Sequence, residues 1–378
     1  LNHRTSDGEP TPTLTAAEDE LTGIALGLKA AGQGVLQVVS DFEDPEREFG
    51  MLRRMVEASG RPLSISLAQH DKRPEGWRAL LTAIGAASDE GLPVKAQVCG
   101  RPVGLLLGLE LTLNPFSAHP AFREIADRPH EEKVRTLRDP DFRNRLLTEG
   151  AASDNPFIKA VLGNFDRMFA LADPPDYEPP PERTIGAQAR AQGRDPAGLA
   201  LEHMLTDGGR GMLYFPFLNY SDQSLDPSYE MLLHKDTVPG LGDGGAHVGM
   251  ICDASFTTSL ITHWTRDRTR GPRLPLEWVV KAHCADTAAA VGLHDRGRIA
   301  PGYKADLNVI DYEGLKLHAP EVRFDLPAGG KRLLQRAEGY VATVVSGQIT
   351  YRDGEPTTAL PGRLIRGAQP APRAAAAQ

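Results

Sequence analysis

A glycine-rich segment with one aspartate and one histidine has the residue types most suited to chemistry. The segment GLGDGGAHVGMICDAS runs from Gly240 to Ser255 and places Asp243 after a short apolar approach, with His247 beyond it. Glycines let the backbone turn sharply and approach a ligand closely. The ends of parallel strands are also where barrel enzymes hold their catalytic groups. The segment therefore predicts a catalytic carboxylate at Asp243, with a glycine-rich turn and a solvated aspartate as the alternative.

A second candidate is His70, which follows an alternating strand in PLSISLAQHDK and enters a loop. Imidazole is a good ligand for Zn²⁺, which usually has three or four protein ligands. A structural or solvated histidine is the other interpretation.

The next apolar stretch, VKAQVCGRPVG, places Cys99 and Arg101 after its strand. A thiolate can bind zinc, and a guanidinium can hold a carboxylate through two hydrogen bonds. A cysteine packed in the protein wall and an arginine in a surface ion pair are equally compatible with this stretch.

The elements that position these residues follow a repeated pattern of strand and helix. Amphipathic periodicity predicts helices over residues 45–59 and 74–90. Apolar runs predict strands over residues 35–41, 63–68, 94–99, 212–217 and 238–242. Strands that alternate with helices form a parallel sheet, so the sequence predicts an α/β fold with the candidate residues at the strand ends.

The repeated pattern breaks between Gly104 and Arg210, where the sequence is mostly helical and charged and includes the proline cluster DPPDYEPPPER. A long insertion at the catalytic face often forms a lid or part of a substrate pocket. A helical bracket packed on the outside is the other interpretation, and the sequence leaves both open.

Composition excludes several classes of protein. The 378 residues, 40% of them hydrophobic, can bury a large core, and the net charge of −8 offers no basic surface to nucleic acid or anionic lipid. No apolar run reaches the ~18 residues of a membrane span, and three widely spaced cysteines argue against a disulfide framework. We expect a cytoplasmic protein that acts on a small-molecule substrate and binds neither nucleic acid nor membrane. A homo-oligomer is compatible with the sequence.

The order of three segments carries a family resemblance. GLGDGGAHV is followed by the helical LPLEWVVKAHCADTAAAVGL and then by DRGRIAPGYKADLNVIDYEG, in which a turn leads into an alternating strand. This order resembles the amidohydrolase superfamily, and most closely its N-acyl-D-amino-acid deacylase (D-aminoacylase) branch. The resemblance implies a (β/α)8 TIM-type barrel, of which this chain carries the later strands only, with a small C-terminal β-sandwich segment.

The resemblance also divides the chain. It implies a partial metal-dependent hydrolase barrel over residues 1–297, with the mainly helical insertion at about 104–210, and a β-sandwich segment over 298–362. The Ala- and Pro-rich residues 363–378 are predicted to be disordered. Because five predicted strands do not close an eight-stranded barrel, the resemblance implies that three strands and the leading part of the sandwich lie upstream of Leu1.

The chemistry that the resemblance implies is amide hydrolysis by a zinc-bound water, whose pKa the ion lowers to about 7. Asp243 matches the family carboxylate that acts as general base and general acid, with a metal contact. His70 matches a metal-binding histidine. Arg101 is the predicted partner of the substrate carboxylate, and His247 is a second substrate-binding candidate.

The sequence departs from the family pattern at two strand ends. Gln69 stands where the family's Ser-His-x-Lys strand end has a serine, while His70 and Lys72 match that motif. On the following strand the superfamily commonly places another histidine ligand, and this chain has Cys99 and Arg101 in that region. One metal ion instead of two, or a depleted site, is therefore an alternative.

Two functions of different classes follow. The first is a zinc-dependent hydrolase that cleaves the linear amide bond of N-acyl-D-amino acids to a carboxylate and a free amino acid. The second is a metal-depleted, amidohydrolase-like binding or scaffold protein, which the substituted VCGRP strand favours. Within the first class, the runner-up is a cyclic amidase of the hydantoinase or dihydroorotase type, although we find no position for the metal-bridging carboxylated lysine that such enzymes use.

Overall fold

The computed structural model describes residues 5, 7, 9–153, 155–242 and 247–372. The strands of this part are β1 (Leu36–Val38), β2 (Leu63–Leu67), β3 (Val94–Val98), β4 (Val103–Leu107), β5 (Phe169–Ala170), β6 (Leu213–Leu218), β7 (Thr237–Pro239), β8 (Leu307–Ile310), β9 (Lys316–Leu317), β10 (Glu321–Leu326), β11 (Gly330–Leu334), β12 (Ala337–Glu338), β13 (Tyr340–Val345), β14 (Gln348–Arg352) and β15 (Glu355–Pro356). The α-helices are α1 (Glu18–Ala31), α2 (Pro45–Ser59), α3 (Gly76–Asp89), α4 (Pro120–Arg123), α5 (His130–Arg138), α6 (Pro140–Thr148), α7 (Pro156–Leu162), α8 (Ile185–Gln192), α9 (Pro196–Met204), α10 (Asp226–Leu233), α11 (Phe256–Thr262), α12 (Leu276–Lys281) and α13 (Thr287–Ala290). None of the described helices is both long and apolar enough to cross a membrane.

The central sheet contains β1, β2, β3 and β7 in that order, and all neighbours are parallel. Helix α2 connects β1 to β2 and α3 connects β2 to β3, because parallel neighbours require such crossovers. Every second residue of β2, namely Leu63, Ile65 and Leu67, is buried. The parallel sheet confirms the predicted α/β class. Within the described residues it is an open sheet with β1 and β7 at its edges.

Local sequence signals fix the bounds of α2. Asp44 precedes the helix, and its side chain accepts a hydrogen bond from the backbone amide of Arg47 at 3.1 Å, which satisfies one of the free amides of the first turn. Gly60 ends the helix with a φ of 64°, a conformation that glycine adopts without strain. The predicted helix over residues 45–59 is therefore confirmed.

The strand predicted over residues 212–217 as part of the barrel lies outside the central sheet, so that prediction was wrong. β6 pairs antiparallel with β4 and β5 in a separate sheet, with Leu105 opposite Phe215. The physical reason is the apolar run directly after β3, which forms β4 and offers β6 an antiparallel partner. A Cβ on Gly104 would lie 2.2 Å from the Tyr214 ring, so only glycine permits this close approach.

The chain between β4 and β6 forms helices α4 to α9 and a second hydrophobic core. All fully buried members of this core come from residues 105–215. Its members include Leu105, Leu107, Phe116, Phe122, Ile125, Met168, Leu199, Met204 and Phe215. This segment therefore packs mainly on itself.

Residues 298–362, predicted as a β-sandwich segment, contain β8 to β15 in three small antiparallel sheets. Their orders are β15-β14-β13-β8, β10-β11 and β12-β9.

The tail over residues 363–378, whose predicted disorder stays a prediction, has described backbone hydrogen bonds at Gln369. The Gln369 amide donates to the carbonyl of Gly292 at 2.9 Å, and its carbonyl accepts from the amide of His294 at 3.0 Å. These two bonds attach the tail to the chain just after α13. Residues 373–378 lie outside the described part.

The first prediction concerns the packing of the central sheet. Ile65→Ala should lower the free energy of unfolding by about 2–5 kcal/mol, because Ile65 is 0% exposed and truncation leaves a cavity. The matched control is Ile299→Ala, since Ile299 is 90% exposed and its loss should change stability by less than about 0.5 kcal/mol. Urea unfolding followed by circular dichroism measures both. Equal effects of the two substitutions would contradict the assignment of β2 to the core.

Candidate active site

The strands of the central sheet are parallel, so their carboxyl ends lie along one edge. His70 follows β2 at this edge, and Gly242 follows β7. The backbone amide of Gly240 donates to the carbonyl of Val98 at 2.9 Å, which attaches the chain leaving β7 to the end of β3. Asp243, the predicted catalytic and metal-binding residue, lies outside the described residues, directly after Gly242.

His70 is half-buried between the end of β2 and the loop after β1. It lines a cavity of about 40 Å³ together with Asp41, Arg73 and Trp77. Burial lowers the pKa of the His70 imidazole, and the nearby charge of Asp41 opposes this shift only in part. The neutral imidazole is the form that binds metal ions, so this environment is compatible with the predicted role.

Gln69 connects the end of β2 to the loop after β6. Its backbone amide donates to Asn219 Oδ1 at 2.8 Å, and its carbonyl accepts from the Asn219 amide at 3.0 Å. Its side chain accepts from the Ser221 amide at 3.1 Å and donates to Asp222 Oδ2 at 2.8 Å. Gln69 and Asn219 are both fully buried, so the two bonds between them are shielded from water. The residue that departs from the family motif therefore has a structural function.

Arg101 lies inside the protein, only 2% exposed. Its Nη1 donates to Ser255 Oγ at 3.1 Å, and its Nη2 donates to the Cys252 carbonyl and, at 3.1 Å, to Asp253 Oδ1. The guanidinium carbon lies 4.0 Å from the centre of the Tyr177 ring. The guanidinium is thus already paired with the Asp253 carboxylate, and the contact of Arg101 with a substrate carboxylate stays a prediction.

The cysteines near this edge are buried to different degrees. Cys99 is 0% exposed, as expected for a cysteine packed in the protein wall. Burial raises the pKa of the half-buried Cys252 thiol to about 11. The thiol form of Cys252 is therefore favoured at neutral pH in the metal-free protein.

His247 is exposed and directly follows the residues that the structure does not describe. Its φ is 54°, and its carbonyl accepts hydrogen bonds from the amides of Met250 at 2.8 Å and Ile251 at 2.9 Å. These bonds form a tight turn at His247. A substrate-binding role for His247 stays a prediction.

The described residues do not by themselves provide a zinc site. No group of three or more His, Cys, Asp or Glu side chains in the described part of the chain lies close enough to hold a metal ion. His70 supplies one suitable donor, and Asp243 lies outside the described part. Three or four ligands are usual for zinc, so the fit of the ion is incomplete on these residues.

A buried charge cluster lies between the proline-rich segment and the chain after α11, and the sequence analysis missed it. Glu178 is 3% exposed and accepts hydrogen bonds from Arg268 Nε and Nη2, both at 2.9 Å. His263 Nε2 lies 3.0 Å from the same carboxylate, and Asp226 Oδ1 lies 2.7 Å from Arg268 Nη2. The local sequence signal for this cluster was the dipeptide Tyr177-Glu178 within a proline cluster. Prolines make the segment rigid, so an acidic residue in it is suited to a fixed ion pair.

The model of the protein family described as "Amidohydrolase family" matches residues 2–351. The chain belongs to the amidohydrolase family. The family-level resemblance drawn from the order of its segments is thereby confirmed. No curated protein matches the sequence.

This amidohydrolase is similar to several solved structures. A D-aminoacylase mutant in complex with CuCl2 and a D-aminoacylase studied for its binuclear metal center are each 18% identical to it, with a TM-score of 0.49. A D-hydantoinase (dihydropyrimidinase) from Thermus sp. is 15% identical, covers 89% of this chain and 56% of its own length, and has a TM-score of 0.29. The two D-aminoacylase matches cover 92% of this chain and 59% of theirs. The amidohydrolase chain therefore spans about three fifths of the length of these D-aminoacylase structures.

The second prediction concerns the pH dependence of the Glu178 cluster. Burial alone would raise the pKa of the Glu178 carboxyl, but hydrogen bonds from His263 and Arg268 outweigh burial and hold the pKa at about 2, below the ordinary 4.5. A carboxyl whose pKa is lowered in the folded state stabilises the fold above its unfolded pKa and loses this contribution as pH falls towards the folded pKa. Glu178→Gln should therefore lower the free energy of unfolding by about 2–3 kcal/mol at pH 7, and the difference should shrink between pH 4.5 and pH 2.

Urea titrations at several pH values test this dependence. Glu202→Gln is the control, because Glu202 pairs with Arg143 and Arg194 at the surface, where such pairs contribute less than about 1 kcal/mol. A stability difference for Glu178→Gln that stays constant down to acidic pH would show that its charge does not stabilise the fold.

Proposed function

We propose that this amidohydrolase cleaves the linear amide bond of N-acyl-D-amino acids and releases a carboxylate and a free amino acid. One observation carries the proposal. His70 follows β2, and Gly242, the residue before Asp243 in the sequence, follows β7; both strands belong to one parallel sheet whose carboxyl ends lie along one edge. That edge is where enzymes built on parallel sheets bind and convert their substrates.

The proposed reaction is an addition of water to the amide carbonyl followed by loss of the amine. A water oxygen forms the new bond to the acyl carbon, and the carbon–nitrogen bond breaks. Asp243 takes the proton from that water and delivers it to the leaving nitrogen, so that the carboxylate returns to its starting charge. Its position after Gly242 suits this role, since glycine-rich backbone permits close approach of the substrate.

We also propose zinc as the cofactor, with His70 and Asp243 among its ligands. The half-buried His70 imidazole, whose pKa burial lowers, supports a neutral nitrogen donor at this edge. His247, which is exposed and follows Asp243 by four positions in the sequence, is the proposed contact for a polar group of the small-molecule substrate.

The second candidate function is a metal-depleted binding or scaffold protein. The observation that favours it lies at the end of β3, where Cys99 is fully buried and the Arg101 guanidinium is engaged with Asp253. The Cys99 side chain is therefore packed in the interior, and the Arg101 guanidinium is engaged in an internal ion pair.

The third prediction separates the two candidates. Asp243→Asn in the full natural gene product should lower kcat on N-acyl-D-amino acids by about 10²- to 10⁴-fold, because it removes the proton-transfer group. His70→Ala should lower the zinc content as well as the activity. His294→Ala is the matched control, since His294 is exposed and only its backbone forms a bond to the tail.

Amine release from paired D and L substrates and metal analysis of the purified protein are the measurements. A wild-type protein that binds no divalent metal ion and releases no amine from any substrate of the panel would favour the binding or scaffold function. Near-normal activity of Asp243→Asn would instead remove Asp243 from the mechanism.

A further inference from the structure

We propose that a cavity beside the proline-rich segment binds an organic carboxylate, and that Arg270 is the residue that holds this anion. The proposal goes beyond the proposed function, because carboxylate binding requires neither zinc nor turnover. One source of the anion is the substrate or the carboxylate product of amide hydrolysis, and this source rests on the proposed function. The other source is a separate small molecule that carries a carboxylate and is not converted.

The cavity has a volume of about 790 Å³, which is enough for a small organic molecule. Its walls come from residues within 174–183, 259–270 and 316–317, together with Arg101 and Leu225. The cavity therefore lies between the proline-rich segment, α11 with the chain after it, and β9. Arg101 follows β3, so one wall lies close to the carboxyl end of a central strand.

Five arginine and lysine side chains line this cavity, and four of them already have a carboxylate partner. These pairs are Arg101 with Asp253 at 3.1 Å, Arg183 with Asp176 at 3.3 Å, Arg266 with Asp267 at 2.7 Å and Lys316 with Glu338 at 2.8 Å. The fifth is Arg270, whose acceptors in the described part of the chain are all uncharged. The cavity thus presents one guanidinium whose charge is not balanced by a described carboxylate.

Neutral acceptors hold the half-buried Arg270 guanidinium in place. Its Nη1 donates to the carbonyls of Glu178 at 3.1 Å and Pro179 at 3.3 Å and to the Tyr220 hydroxyl at 3.0 Å. Its Nη2 donates to the Gln223 carbonyl at 2.8 Å. Nε takes part in none of these bonds and Nη2 in only one. This edge of the guanidinium therefore retains donors for the two oxygens of a carboxylate.

The Glu178 carboxylate does not balance Arg270, because other groups already bind it. Arg268 donates to both carboxylate oxygens at 2.9 Å, His263 Nε2 lies 3.0 Å from one of them, and the Leu225 amide donates to the other at 2.9 Å. Only the backbone carbonyl of Glu178 contacts Arg270. A half-buried charge without a counterion is unfavourable, and an anion in the cavity would supply one.

A second donor and the apolar part of the wall define the chemistry of the ligand. Arg101 Nε is buried and has no hydrogen-bond partner in the described part of the chain, although the rest of its guanidinium is paired. The apolar members of the wall are Pro174, Pro175, Pro180, Leu225 and Leu317. The cavity therefore suits a carboxylate on an apolar body better than an inorganic anion.

Arg270 is connected to the strand end that carries His70. Tyr220, which accepts a hydrogen bond from Arg270, directly follows Asn219 in the chain. The Asn219 side chain accepts a hydrogen bond from the amide of Gln69, the residue before His70. A ligand on Arg270 would thus be held by the same part of the protein that supports the end of β2. This connection favours the substrate or the product as the source of the carboxylate.

The fourth prediction tests carboxylate binding in the full natural gene product, with hexanoate as the anionic probe and hexanamide as its neutral counterpart. Calorimetric titration should show binding of hexanoate and at least about tenfold weaker binding of hexanamide. Arg270→Gln should weaken hexanoate binding about 10- to 100-fold, as expected for the loss of a charged hydrogen-bonding partner, and leave hexanamide binding unchanged. The matched control is Arg273→Gln, because Arg273 is exposed, donates to the Arg268 carbonyl and does not line the cavity.

Thr269→Glu is the second variant, and it decides the matter if Arg270→Gln does not fold. Thr269 is exposed and lines the same cavity next to Arg270. A glutamate there repels a bound carboxylate and competes with it for the guanidinium, so hexanoate binding should weaken at least about tenfold. Thr269→Gln adds a side chain of the same size without the charge and should bind hexanoate like the wild type.

Inhibition of amide hydrolysis distinguishes the two sources of the carboxylate. Competitive inhibition by hexanoate that is lost in Arg270→Gln identifies the substrate or the product as the ligand. Binding of hexanoate that depends on Arg270 but does not compete with the substrate identifies a separate small molecule.

Three results would overturn the proposal. They are no measurable binding of hexanoate to the wild-type protein, equal binding of hexanoate and hexanamide, and hexanoate binding that neither Arg270→Gln nor Thr269→Glu weakens. A wild-type protein that binds hexanoate through Arg270 but releases no amine from N-acyl-D-amino acids refutes the proposed function and leaves carboxylate binding supported.

Discussion

The register between β2 and β3 is the constraint on which the rest of the site depends. Five consecutive residue pairs, from Leu63 with Val94 to Leu67 with Val98, align the two strands in parallel. Because alternate residues point to opposite faces, a slip of one position would move every buried side chain of a strand to the other face. The buried alternation therefore excludes a slip of one position. That register fixes, along the strand direction, where the chain reaches Gln69 after β2 relative to Arg101 after β3.

Two buried arginines, Arg101 and Arg268, fix segments of the chain near the carboxyl ends of the central strands. Arg101 joins the end of β3 to residues 252–255, and Arg268 joins the chain after α11 to Glu178 in the proline-rich segment. Removing a guanidinium from water is unfavourable, so each is stable only with its hydrogen-bonding partners in place. Charged groups of this kind contribute less to net stability than to the choice of one arrangement over others.

The sequence predicts the features that depend on local pattern. The bounds of α2 follow from Asp44 and Gly60, and the alternation in β2 follows from its apolar residues. The pairing of β6 with β4 and β5 does not follow from local pattern. An apolar run such as LYFPFL carries no information about which strand it pairs with. Arg101 illustrates the same limit for the site, since a guanidinium binds a substrate carboxylate or Asp253 with the same chemistry. Only the three-dimensional arrangement shows that Asp253 is such a partner. The placement of Asp243 stays a prediction.

The pairing of β4 with β6 has a consequence for how this protein acquired its shape. Val103 lies opposite Leu218, so the chain enters and leaves the long insertion at adjacent points. The buried members of the second core come from residues 105–215, that is, from the insertion and the two strands that flank it. A unit with neighbouring ends and its own interior can be gained, lost or exchanged in a single genetic event without breaking the parallel sheet. Gln69 and its partner Asn219 lie just outside this junction, and they would have to change together with any new module.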